Sequence, residues 1–205
     1  MLQEVDRKLQ QLIGAFSEIL YEDDEIFMEN MRRKKNLPEE ELQKYAHWEW
    51  TQGVGLYGIW KLFAASGEKK YLEMLTRYYD RQLQVGFPQC NVNTAAPYLT
   101  LSYLAEYLQS ETYLQPCREA AEWIMYEMPR TSEGGIQHMT SDDVNEQELW
   151  DDTLVMTVLF LANMGRILDR EDYRNEAQYQ FLLHMKYLQD PVSGFWYLSL
   201  IHISE

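Results

Sequence analysis

The stretch DDTLVMTVLFLANMGRILDREDYRNEAQYQFLL, residues 151–183, decides the fold. Its first half is apolar around most of its circumference, so a helix made from it must be buried on several sides. Its second half mixes apolar positions with charges and tyrosines, so its helix can face water on one side. The same unit occurs twice upstream. The apolar segments GVGLYGIWKLFAAS (53–66) and TAAPYLTLSYLAEYL (94–108) precede charged segments beginning EKKYLEML (68–75) and SETYLQPCREAAEWI (110–124). Such a repeat of helical hairpins, with no convincing period-2 run, predicts an all-α protein with an inner and an outer layer, either a curved α/α solenoid or a closed toroid. The loops VGFPQCN (85–91), SEGGIQHM (132–139) and DPVSGFWY (190–197) bring polar and aromatic side chains to one end of the stack. Residues 48–52, 91–94 and 150–152, just before the inner helices, then converge on the central axis and are where chemistry is expected.

Asp151 and Asp152 at the head of the third unit have an ordinary structural use, because unpaired N–H groups and the positive end of the helix dipole favour an acid in a first turn. Adjacent helical residues project about 100° apart, so the two cannot both face one cavity. One caps and the other points inward, and spacing does not say which.

The rest of the chain sets bounds. At 205 residues and 46% hydrophobic content it suffices for one domain with a core. A formal net charge of −15 argues against nucleic acid or an anionic membrane as partner. Cys90 and Cys117 read as buried or idle thiols, compatible with a reducing compartment. The opening MLQEVDRKLQQLIGAF lacks the features of an export signal, and no later run approaches roughly 18 apolar residues, so a soluble cytoplasmic protein is expected. Leu9, Leu12, Ile13, Phe16, Ile19 and Leu20 predict an amphipathic helix within residues 1–30, and MRRKKNLPEEE (31–41) predicts a solvated connection. Gly53, Gly55 and Gly58 spell GxGxxG, but no buried strand precedes them as a dinucleotide site requires, so they read as helix-packing residues. His47, His138, His184 and His202 show no metal-ligand spacing; no metal and no cofactor is expected.

The segments WEWTQGVGLYGIWKL (48–62), NVNTAAPYLTLSYL (91–104), GGIQHM (134–139) and ELWDDTLVMTVLFLA (148–162), in that order, resemble glycoside hydrolase family 105, the YteR-like unsaturated rhamnogalacturonyl hydrolases. The resemblance covers roughly residues 45–197. It implies an (α/α)6-barrel, a toroid of six hairpins, of which this chain would be an incomplete arc of about three hairpins plus an N-terminal helix. It also implies the substrate: lyase-generated pectin (rhamnogalacturonan) oligosaccharides ending in unsaturated galacturonic acid. An acid protonates C4 of the C4=C5 vinyl ether, water adds at C5, and the hemiketal opens. The carboxylate-separation rules of ordinary glycosidases therefore do not transfer. In the family's W-x-D-T/G-L motif the Asp is the general acid and base, which implies Asp152 here, with Trp150 lining the sugar site and Asp151 left to cap or face solvent. The family's second Asp is replaced by Asn93, which can bond a sugar hydroxyl or orient Asp152 but cannot exchange a proton. His138 and Trp50 complete the implied substrate contacts.

Residues 1–205 are expected to form one incomplete toroid domain. After SGFWY the family pattern continues with a His and a fourth hairpin, whereas this chain reads LSLIHISE, expected to be a non-native tail over 198–205 that also removes a later Arg for the uronate carboxylate. Two other readings stand beside the enzyme. A non-catalytic α-solenoid binding module would show large exposed apolar grooves, and an inactive truncated family member would expose inner-helix surface.

Overall fold

The computed structural model describes residues 2–200. Helices α1 (Leu2–Ile19), α2 (Glu25–Lys35) and α3 (Glu39–Gln43) lead into three hairpins. These are α4 (Trp50–Ser66) with α5 (Lys69–Val85), α6 (Val92–Leu108) with α7 (Glu111–Tyr126), and a third pair. In the third, the inner helix opens with a π-helical turn (Leu154–Val158) and continues as α8 (Leu159–Ile167), partnered by α9 (Glu171–Leu188). Among the described residues, strand is confined to the antiparallel pair β1 (Leu149–Trp150) and β2 (Ser199–Leu200) and two isolated bridges. Residues 201–205, which hold most of the expected tail and His202, lie outside the described residues.

Local chemistry sets the helix ends. Gly67 closes α4 with φ of 70° and Gln109 closes α6 with φ of 51°, both left-handed caps that free the chain to reverse. Asn91 and Ser110 cap α6 and α7 by accepting the N–H groups of Thr94 and Tyr113. The expected N-terminal helix is divided: the chain turns after α1, and Asp24 caps α2 by accepting the Phe27 N–H at 2.9 Å. Leu20 is buried and Ile13 and Phe16 half-buried, while Leu12 and Ile19 stand exposed, so α1 packs on a narrower face than the apolar spacing implied. The expected connection over 31–41 is mostly helix. Its basic half forms the last turn of α2, where cations suit the negative end of the dipole, and Arg32 pairs with Glu39 of α3 at 2.8 Å.

The inner layer is α4, α6 and α8, in that spatial order. As the middle member, α6 is covered on both flanks, so its Leu99 is only 2% exposed. Val155 (50%) and Leu159 (36%) of the third inner helix face instead an apolar groove shared with Phe181 and Leu182 of α9, as an open arc requires. Gly53 lets α4 touch α6, since a Cβ there would lie 2.6 Å from the Ala96 backbone carbon. Gly55 receives the Phe16 ring of α1, and of these three α4 glycines Gly58 alone has open space around it. Trp48, fully buried, stacks on Tyr78 and meets Phe87 and Tyr98 edge-on, while its indole N–H donates to the Thr94 carbonyl at 2.8 Å. That anchor ties the lead-in of α4 to the first turn of α6, so both helices start at the same end of the molecule.

Candidate active site

Three inner helices begin side by side, at Trp50, Val92 and Leu154, and the long loop between α7 and β1 folds over their leading ends. The resulting cleft, about 680 Å³, is lined by Trp50, Asn93, His138, Trp150 and Asp152 together with Val54, Thr140, Asp143, Asn145, Val155 and Met156. All five site residues expected from the sequence thus meet at one place. Among the described residues the cleft wall carries no Lys or Arg.

Asp152 lies just ahead of the π turn, where its carbonyl accepts the N–H groups of Val155 and Met156 and so starts the helix. Its side chain is about one-third exposed, and Oδ1 is buried with no hydrogen-bond partner. Burial, with the charge of Asp151 adding to it, pushes this carboxyl up to about 6. A partly exposed acid on a cleft wall with a pKa near neutrality can both give and take a proton. Asp151 differs: its N–H donates to the Leu198 carbonyl, its carbonyl accepts from Leu154, and its half-buried side chain makes no cap bond to the helix. It therefore does not cap, because the π turn begins with backbone bonds alone.

His138 supports Asp152. Its Nδ1 lies 3.0 Å from the Thr153 hydroxyl and 3.4 Å from Asp152 Oδ1, and its ring stacks on Trp150 at 4.5 Å between centroids. Burial, and next the nearby His184, lower its pKa to about 4, so the ring is neutral wherever Asp152 ionises and the contact is not an ion pair. Only 4% exposed, His138 reaches the cleft with little more than an edge and chiefly holds Trp150 and Asp152 in place. Trp150 is held from its other end, its indole N–H donating to Glu148 at 2.8 Å.

Asn93 is the second residue of α6, and its own carbonyl has no helical donor, because Pro97 sits four residues on and has no N–H. Trp50, 44% exposed, starts α4 and offers an indole face to the cleft. Sequence reasoning missed Glu49. It is 8% exposed beside this wall, accepts from the Ser141 hydroxyl, and burial pushes it up to about 7. The only sequence signal for it was an acid ahead of a helix, with Gln52 three residues on returning a bond to its N–H, which reads as capping.

The family profile described as Glycosyl Hydrolase Family 88 matches residues 23–204. The chain is 34% identical over 152 residues to the unsaturated rhamnogalacturonyl hydrolase YesR of Bacillus subtilis, an alignment covering 73% of this chain and 44% of that protein. Two crystal structures described as possible members of the GH105 family are similar as well. One, from Klebsiella pneumoniae, has a TM-score of 0.80 at 39% identity, over 96% of this chain and 52% of that one. The other, from Salmonella enterica, has a TM-score of 0.80 at 36% identity, over 95% and 52%. This chain therefore spans about half the length of the relatives it matches.

Proposed function

The chain belongs to Glycosyl Hydrolase Family 88, and on that premise we propose that its cleft hydrolyses lyase-generated pectin fragments ending in an unsaturated galacturonic acid. The observation that carries this reading is the partly exposed carboxyl of Asp152 on the cleft wall, an acid raised to about 6 at the mouth of the inner helices. Protonated Asp152 delivers its proton to C4 of the C4=C5 vinyl ether. The positive charge left on C5 and the ring oxygen is quenched by water adding at C5, whose proton returns to the Asp152 carboxylate. The hemiketal then opens, breaking the C5 to ring-oxygen bond to give a C5 ketone, and the ring oxygen, now a hydroxyl on C1, leaves C1 as a hemiacetal. This collapses to the aldehyde, breaking the C1 bond to the next sugar as the hydroxyl proton passes to the leaving oxygen, and the keto-acid is released. Neutral His138 keeps Asp152 and Trp150 in register. The indole faces of Trp50 and Trp150 take the apolar faces of the sugars, and Asn93 bonds a hydroxyl. One carboxyl suffices, so Asn93 in place of a second acid is no obstacle.

The test follows the ultraviolet absorbance of the conjugated uronate in unsaturated rhamnogalacturonan disaccharide: its disappearance on incubation with the chain is expected, and no change with any unsaturated uronide would reject the reading. A second reading, an α-solenoid that binds rather than cleaves, is favoured by the apolar groove between the third inner helix and α9. It predicts sugar-independent behaviour of Asp152 variants. Buried, unpaired Cys90 and Cys117 suit the cytoplasm, where unsaturated oligosaccharides taken up by the cell would be processed.

A further inference from the structure

We propose that Ser141, bonded to Glu49 and Asn91, latches the turn of residues 140–143 to the mouths of α4 and α6, which makes Ser141 and Glu49 positioning residues for the substrate. The proposal rests on the hydrolase reading of the cleft, because this turn supplies Thr140 and Asp143 to the cleft wall, a hydroxyl and a carboxylate that can bond sugar hydroxyls. The turn is closed on itself. The Thr140 N–H donates to the Asp143 carbonyl at 2.8 Å and the Asp143 N–H to the Thr140 hydroxyl at 3.1 Å, so the four residues move as a unit. Among the described residues of the loop 139–148, Ser141 alone is buried, at 1% exposure. An apolar side chain there would hold by burial, whereas a serine holds through its hydroxyl.

The directions of the bonds follow from valence. Asn91 caps α6 with its Oδ1, which accepts the Thr94 N–H at 3.1 Å, so its NH2 is the end left to reach Ser141 Oγ, at 3.0 Å. A hydroxyl that accepts this bond has one proton to give, and it goes to Glu49 Oε1. Glu49 can receive it in either state of its carboxyl, since a neutral acid keeps an acceptor oxygen. The donors therefore run from Asn91 through Ser141 to Glu49, and all three residues are buried. Glu49 and Asn91 immediately precede α4 and α6, so the turn is registered against both helix mouths at once. Its other outward tie, Lys34 to Asp142 at 3.2 Å, lies on the exposed surface, where a pair holds weakly. The neighbouring parts of the loop have anchors of their own. Gln137 donates to the Val144 carbonyl at 2.8 Å and accepts the Gln147 N–H at 3.1 Å, and the His138 N–H donates to the Glu148 carbonyl at 3.0 Å. Loss of the latch therefore frees Thr140 and Asp143 and leaves His138 and Asp152 in place.

The experiment uses the whole chain and two readouts. Hydrogen exchange of the backbone amides of residues 140–143 is expected to quicken about tenfold or more in Ser141→Ala, with the amides of α4 and α6 within about twofold of wild type. On the unsaturated disaccharide the same variant is expected to raise KM about 10- to 100-fold while kcat falls less than about threefold, because contacts made equally in the ground and transition states are lost. Glu49→Ala should match it, and Glu49→Gln, which keeps an acceptor oxygen, should recover most of the loss. The double variant of Glu49→Ala with Ser141→Ala should be no worse than either alone, because both remove one bond. Poor folding of one variant leaves the other to carry both readouts. Lys34→Ala is expected to change neither readout by more than about twofold. Unchanged exchange at 140–143 in Ser141→Ala, losses that add in the double variant, or an equal effect of Lys34→Ala overturn the proposal. Exchange that quickens through α4 and α6 as well overturns it too, since that is general destabilisation. Quickened exchange confined to the turn, with no turnover in any form, would uphold the latch and reject the hydrolase reading instead.

Discussion

Glu49, between Trp48 and Trp50, and Asp152, two residues after Trp150, stand at the mouths of the first and third hairpins. Burial raises both, to about 7 and about 6. Glu49 is 8% exposed with its carboxyl bonded to Ser141, whereas Asp152 is one-third exposed on the wall of the cleft. The flanking tryptophans repeat the contrast. Trp48 is wholly inside the core and so draws Glu49 inward, while Trp150 is pinned at the cleft by His138 and Glu148 and leaves Asp152 at the surface of the cavity. A raised pKa therefore does not by itself separate the two acids; access to the cavity does.

The comparison is broken or sharpened most strongly by turnover. Asp152→Asn keeps the shape and removes the acid, and is expected to lower kcat on the unsaturated disaccharide by roughly 10²- to 10⁴-fold. Asp151→Asn should cost less than about tenfold, and equal small losses would erase the distinction between the two aspartates. Since the donor must carry its proton, kcat of the wild type should fall as pH rises through about 6.

The next effect is on stability. The folded state holds the Glu49 proton more tightly than the unfolded chain does, so its stabilising contribution is complete below about pH 4.5 and is lost as pH rises through about 7. Urea denaturation should show wild type losing roughly 3 kcal/mol relative to Glu49→Gln between those limits. A flat difference would mean that burial does not raise the Glu49 carboxyl in solution.

A smaller effect separates the two mouths by packing. Gly53→Ala forces a Cβ against the Ala96 and Pro97 backbone, and should destabilise by about 1–3 kcal/mol while disturbing the Glu49 side of the cleft first. Gly58→Ala on the same helix meets nothing and should stabilise by up to about 1 kcal/mol. Thermal melts of the two variants check both signs, and equal behaviour would remove the close α4 to α6 crossing from the account.

The sequence by itself determined the hairpins, their inner and outer layers, and the convergence of residues 48–52, 91–94 and 150–152, because helical periodicity and capping are local and a repeated unit stacks its like ends together. Asn93, His138 and Asp152 as individual site residues came from the family resemblance. The sequence could not choose between Asp151 and Asp152 without that resemblance, since spacing does not say which of two adjacent residues faces the cleft. Only the tertiary structure showed Glu49 as part of the site. Its bond to Ser141 spans 92 positions of chain, and the burial that raises its pKa comes from elements far apart in sequence. Desolvation is a property of what surrounds a carboxyl in space, and one strand of local sequence does not record it.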